Sequence, residues 1–94
     1  MAINDIYRTN DGQAYFEFNF VKVGQSYEID IISTPNYNGR PEGLHETHRL
    51  SSDRGGYKVC FADQSAVTSL ERARKWVEAW SEGTWQYIKT GSSF

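Results

Sequence analysis

Apolar and polar residues alternate in two neighbouring runs, AYFEFNFVKV at residues 14–23 and SYEIDIIS at residues 26–33. A period of two marks a half-buried strand. Gly24 and Gln25 separate the runs, with glycine at the first central position of a two-residue type II′ turn. If Val23 pairs with Ser26, Phe20 falls opposite Ile29 and Phe18 opposite Ile31. The alternation and the turn select this register independently, and a slip of one residue would send the phenylalanines to the wrong face. One face of the predicted hairpin is therefore apolar. The other carries Glu17, Asn19, Glu28 and Asp30, with Asn19 opposite Asp30 and Val21 opposite Glu28. Val21, Val23 and Ile32 share that second face.

Upstream, Ile3, Ile6 and Tyr7 precede an Asn10-Asp11-Gly12 turn, and Asp-Gly between strands signals a hairpin. Residues 5–9 are read as a short first strand, with a frayed arm as the alternative. Residues 34–43 hold both prolines, two glycines and two asparagines, so they form a loop. Its ten residues are long for a hairpin connection, and long ordered loops carry function disproportionately often. Residues 44–50, LHETHRL, are expected as an edge strand. Leu44, Glu46, His48 and Leu50 would share one face, with His45, Thr47 and Arg49 on the other. Residues 51–56 form a turn. Residues 57–62, YKVCFA, form a strand with Tyr57, Val59 and Phe61 inward and Cys60 opposite.

From Ser65 onward the period becomes helical. Val67, Leu70, Ala73, Val77 and Trp80 recur at three and four, and Thr84, Tyr87 and Ile88 continue the stripe to about Thr90. Gly91 follows as the stop. Asp63 or Ser65 would cap the start, and Thr68-Ser69-Leu70-Glu71 also fits a capping box. Gly83 lies off the stripe, where it costs about 1 kcal/mol against alanine or else marks a break. An apolar sheet face and an apolar helix stripe bury each other. The fold expected for residues 1–94 is one α+β domain, a two-layer sandwich. A four-stranded antiparallel meander, five-stranded if the first strand forms, packs against one long C-terminal helix.

At 94 residues the chain supports one core and not two. Cys60 is the single cysteine, which excludes an internal disulfide and favours a reducing compartment. No basic segment leads into an apolar one, and no apolar stretch matches a membrane span. A cytoplasmic location follows as the expectation. The net charge of −2 and a pI near 5.6 argue against generic nucleic-acid binding. The charge is uneven. Residues 1–33 carry a net of −3, and residues 34–58 a net of +1.

His45-Glu46-Thr47-His48 invites a metal reading, but a strand points the two histidines to opposite faces and no third ligand is evident. No metal and no cofactor are expected. Arg40, His45, Arg49 and Arg54, with Tyr37, compose an anion site on paper, because arginine offers a planar fork to phosphate and tyrosine a stacking surface. The competing reading pairs these arginines with Glu42, Glu46 and Asp53, and it takes precedence. Glu17, Asn19, Glu28 and Asp30 make an outer face suited to a partner, and an open sheet face is a poor place for acid–base chemistry. Trp80 belongs to the stripe, whereas Trp76 and Trp85 lie at its edges and suit either core or interface. Cys60 has Lys58 beside it on one face but no base in reach, and no nucleophile elbow, P-loop or dinucleotide fingerprint is present. The leading expectation is a small non-catalytic module that contacts another protein or its own copy. The runner-up is an anion or nucleic-acid binding module at residues 37–54.

Overall fold

The computed structural model describes residues 2–94. Strands β1 (Ala2–Arg8), β2 (Tyr15–Val23) and β3 (Ser26–Ser33) form two successive antiparallel hairpins. β1 is longer than residues 5–9 alone would make it and pairs along its whole length with β2. The Asp-Gly turn explains why it is held. Thr9 N–H donates to Ala14 O at 3.0 Å, and Ala14 N–H donates to Thr9 Oγ1 at 3.1 Å. Asp11 accepts from Gln13 N–H at 3.0 Å while Gly12 takes φ 73°. In the second hairpin Phe20 faces Ile29, Phe18 faces Ile31 and Asn19 faces Asp30, as the alternation requires. Gly24 has φ 63°. Beyond Phe18 the register slips by one, so Glu17 faces Ser33 and Ile32 becomes the extra residue of a β-bulge.

The chain then crosses the loop to a single helical turn, α1 (Leu44–Thr47), followed by β4 (Arg49–Ser51) and β5 (Tyr57–Val59). The five-stranded sheet has the order β1-β2-β3-β5-β4, with β5 seated between β3 and β4. Residues 44–50 are therefore not one strand. Thr47 N–H and Oγ1 both donate to Gly43 O, at 3.1 and 2.8 Å, which closes the turn. His48 then enters the left-handed region at φ 51° and redirects the chain into β4. His45 and Arg49 consequently do not share a strand face, and Thr47 and Arg49 are buried while Leu44 is exposed. β5 ends at Val59, before Phe61. Tyr57 is on the same strand face as Val59 but remains exposed, its ring 4.2 Å from the Arg49 guanidinium.

Helix α2 (Leu70–Thr90) runs unbroken through Gly83. Its cap is Ser69, whose Oγ accepts from Arg72 N–H at 3.2 Å, so the Thr68–Glu71 box is not the one used. Asp63 caps instead the short 3₁₀ turn Gln64–Ala66. Gly91 at φ 79° ends α2, and Arg40 donates to the open carbonyls of Ile88 and Lys89 at 3.3 and 3.1 Å.

Phe16, Phe18, Phe20, Ile29 and Val59 from the sheet bury against Val67, Ala73, Val77 and Trp80. Trp80 stands edge-on to both Phe16 and Phe18, with centroids 5.8 Å away in each case, and its indole N–H donates to His48 O at 3.1 Å. A second cluster, Tyr37, Tyr87 and Ile88, ties the long loop to the end of α2. No helix among the described residues is long and apolar enough to cross a membrane.

Candidate interaction surfaces

α2 covers one face of the sheet, and among the described residues no second layer of helix or strand covers the other. The pairing of β1 with β2 places Asn4, Ile6 and Arg8 opposite Asn19, Glu17 and Tyr15 on that open face. Asn4 donates through Nδ2 to Glu17 at 2.9 Å and to Asn19 at 3.0 Å, while Arg8 stacks over Tyr15 at 5.3 Å. At the other side of the face the turn between β4 and β5 folds back over β3. Arg54 donates to Asp30 Oδ2 and Glu28 Oε1, each at 2.6 Å, Ser52 donates to Asp30 at 2.8 Å, and Lys58 pairs with Glu28 at 3.3 Å. The Arg54 bond, then Lys58, hold the Glu28 carboxyl below its ordinary range against the opposing pull of burial. For Asp30 burial is the largest single influence and pushes upward, but the bonds from Arg54 and Ser52 together outweigh it and the carboxyl is lowered.

Five exposed apolar side chains lie on this face. Ile6 is 61% exposed and Tyr15 56%, and Ile32 at the bulge, Leu50 in β4 and Val23 at the hairpin end are also open. Of the residues expected at an interface, Glu17 and Asn19 lie on the open face in β2, whereas Glu28 and Asp30 in β3 are engaged by side chains of the same chain. Trp76 and Trp85 lie on the helix layer instead. Trp76 packs edge-on against Phe61 at 5.3 Å and is partly exposed. Trp85 donates to Asp11 Oδ2 at 2.7 Å and lies beneath Lys89. Asp11 is lowered by the Thr9 hydroxyl, then by Gln13 N–H and Trp85 N–H. Ile6, Tyr15 and Leu50 are the surface residues that the alternation alone did not single out. The Asp-Gly turn carried the signal for the first two, because counting outward from it puts Ile6 opposite Glu17.

The residues composed as an anion site occupy three separate places. Arg40 caps the end of α2. Arg54 lies on the outer sheet face. Arg49 is buried between the rings of Tyr37 and Tyr57, at 5.3 and 4.2 Å from their centroids, and donates to Thr47 Oγ1 and Glu42 O. Tyr37 is buried, its phenol is raised by that burial, and its hydroxyl has no partner among the described residues. His45 lines a separate small cavity with Glu46, Tyr87 and Phe94.

Three chemistry-bearing residues do converge. His48, Cys60 and Trp76 line an apolar cavity of about 160 Å³ with Val59, Ala79, Trp80 and Phe94. Cys60 N–H donates to His48 O at 2.9 Å, so the left-handed turn at His48 sets both residues at the rim. At the opposite edge of α2, Tyr7 donates to Glu82 at 2.5 Å. Burial first, and then the Glu82 carboxylate, push its phenol up to about 12. Among the described residues no group of three or more His, Cys, Asp or Glu side chains is placed to hold a metal ion. No family model, no curated protein and no solved structure matches the chain.

Proposed function

We propose that the protein is a small non-catalytic module that works by contact through the open face of its sheet, and that a second copy of the chain is the partner this face fits best. One observation carries the reading. Ile6, Tyr15, Ile32 and Leu50 are exposed around a sheet face on which Glu28 and Asp30 are already paired with Arg54 and Lys58. Isolated exposed apolar residues are ordinary, but several on one flat face mark a contact surface. The carboxylates of β3 offer a strongly charged partner little to grip. Glu28 and Asp30 are neutralised by Arg54 and Lys58, and Glu17 accepts from Asn4. A two-fold contact would match apolar positions with their own counterparts and require no opposite charge. Dilution tests this by NMR. Amide shifts of Ile6, Tyr15, Glu17, Asn19, Ile32 and Leu50 should move together with protein concentration, while those of α2 stay fixed. Shifts that remain constant across the range would remove the second copy as partner.

The competing reading, an anion site within residues 37–54, keeps one observation in its favour. Arg49 is buried, and among the described residues it makes no ion pair. A buried charge without a counter-ion is costly unless other groups compensate it. Here two aromatic faces, a hydroxyl and a carbonyl do so. Titration with inorganic phosphate separates the readings. Shifts clustered at Tyr37 and Arg49 would favour the anion site, and their absence leaves the sheet face.

A further inference from the structure

Phe94 is 39% exposed, yet its ring makes contacts on two sides. It lies on the His48 imidazole with centroids 4.5 Å apart, and on the bare backbone of Gly83. Residues 91–94 have no regular secondary structure, and among the described residues the tail's hydrogen bonds end at Ser92. Ring contacts therefore hold Phe94. Phe94 lines both the cavity of about 160 Å³ at Trp76 and Trp80 and a second of about 170 Å³ at His45 and Tyr87. With the ring swung out, the two join into one slot between α2 and the turn at His48, near the lower end of the roughly 300–1,000 Å³ range of binding pockets. Two local features shape that slot. Gly83 sits inside a helix with no positive φ to justify it, at a propensity cost that an alanine would avoid. His48 holds a left-handed conformation that non-glycine residues seldom adopt.

We infer that this slot is a recognition site for an aromatic side chain on a partner peptide, with Phe94 as the built-in occupant that the partner's ring displaces. The chemistry is that of the observed contact. An aromatic face meets the His48 ring, its edge rests on a helix stripped of Cβ at Gly83, and Trp76 and Trp80 wall the deep end. Among the described residues displacing Phe94 breaks no hydrogen bond, and Gly91 at φ 79° gives the chain a place to turn.

The test titrates the whole chain and its Phe94→Ala variant with acetyl-Gly-Ser-Ser-Phe-amide, following backbone amides and indole N–H signals by NMR. The variant should respond at His48, Cys60, Gly83 and the indoles of Trp76 and Trp80. It should saturate at roughly tenfold lower peptide concentration than the wild type, whose own ring reduces the open fraction. The corresponding leucine peptide should bind more weakly, and adding Gly83→Ala to the variant should abolish the response. No shift in either protein at millimolar peptide, equal responses in the two proteins, or equal responses to phenylalanine and leucine would each overturn the assignment. If Phe94→Ala does not fold, the wild type decides: shifts confined to the slot support the assignment, and their absence overturns it.

Discussion

Phe94 packs where a side chain on Gly83 would be: a Cβ built on that glycine would lie 2.8 Å from the Phe94 Cγ. Two effects oppose each other in Gly83→Ala. Alanine gains about 1 kcal/mol in helix propensity, while the Phe94 ring must leave its seat. Among the described residues no hydrogen bond holds the segment beyond Ser92, so the segment yields and the helix does not. The expected outcome is a melting temperature unchanged or slightly raised, together with loss of the contacts between Phe94 and His48 in NOE spectra. Marked destabilisation would mean that Phe94 is an integral part of the core.

Trp80 is the opposite case. It is nearly fully buried, stands edge-on to two phenylalanines and donates its N–H to the backbone at His48. Trp80→Ala should cost about 3–5 kcal/mol, and Phe18→Ala about as much. Lys75→Ala, on the solvent side of α2, should leave the denaturation midpoint within about 0.5 kcal/mol of the wild type. Chemical denaturation of the three variants checks the ranking.

The pairing of Arg54 with Glu28 and Asp30 sets an acid dependence. Both carboxyls are lowered in the folded chain from ordinary values of 4.5 and 3.8. The stability they contribute is therefore present above those ordinary values, and it is lost as pH falls below them and through the lower folded values. Arg54→Ala should cost about 1–2 kcal/mol at neutral pH, a figure held down because the guanidinium is about a third exposed to screening. It should also flatten the fall in melting temperature between pH 5 and about pH 2. An unchanged acid profile in the variant would place the acid sensitivity elsewhere.

Tyr7 sets the alkaline dependence. Its phenol titrates at about 12 in the folded chain against an ordinary 10.0, because burial and the Glu82 carboxylate both disfavour the phenolate. The folded state thus holds the proton more tightly. That contribution is fully present below pH 10 and lost as pH rises toward 12. Phenolate absorbance should show Tyr7 and Tyr37 ionising late, and Glu82→Gln should bring the Tyr7 step earlier while leaving that of Tyr37 in place. If Glu82→Gln leaves the Tyr7 step unchanged, burial alone is responsible.

The fold was legible where periodicity and turn chemistry agreed. The Phe18–Ile31 and Phe20–Ile29 pairs and the stripe from Ala73 to Ile88 both followed from spacing. Residues 44–50 were illegible for a physical reason. LHETHRL has no clean period, and its conformation is decided by the bonds of Thr47 to Gly43 and by a left-handed His48. The arginines show the same limit. Sequence proximity suggested Glu42, Glu46 and Asp53 as partners, but the fold gives Arg54 the carboxylates of β3 and gives Arg40 and Arg49 backbone oxygens. The seat of Phe94 could not be read because its counterpart, Gly83, signals by lacking a side chain.

Sedimentation equilibrium on the wild type and on Ile6→Lys tests the central claim most directly. Ile6 is the most exposed large apolar side chain of the open face, and nothing in the core rests on it. The account predicts that the wild type associates reversibly to a dimer as concentration rises into the high micromolar range. Ile6→Lys should remain monomeric at the same concentrations with an unchanged monomer fold by circular dichroism. A wild type that stays monomeric throughout, or a dimer that survives the lysine unchanged, would contradict it.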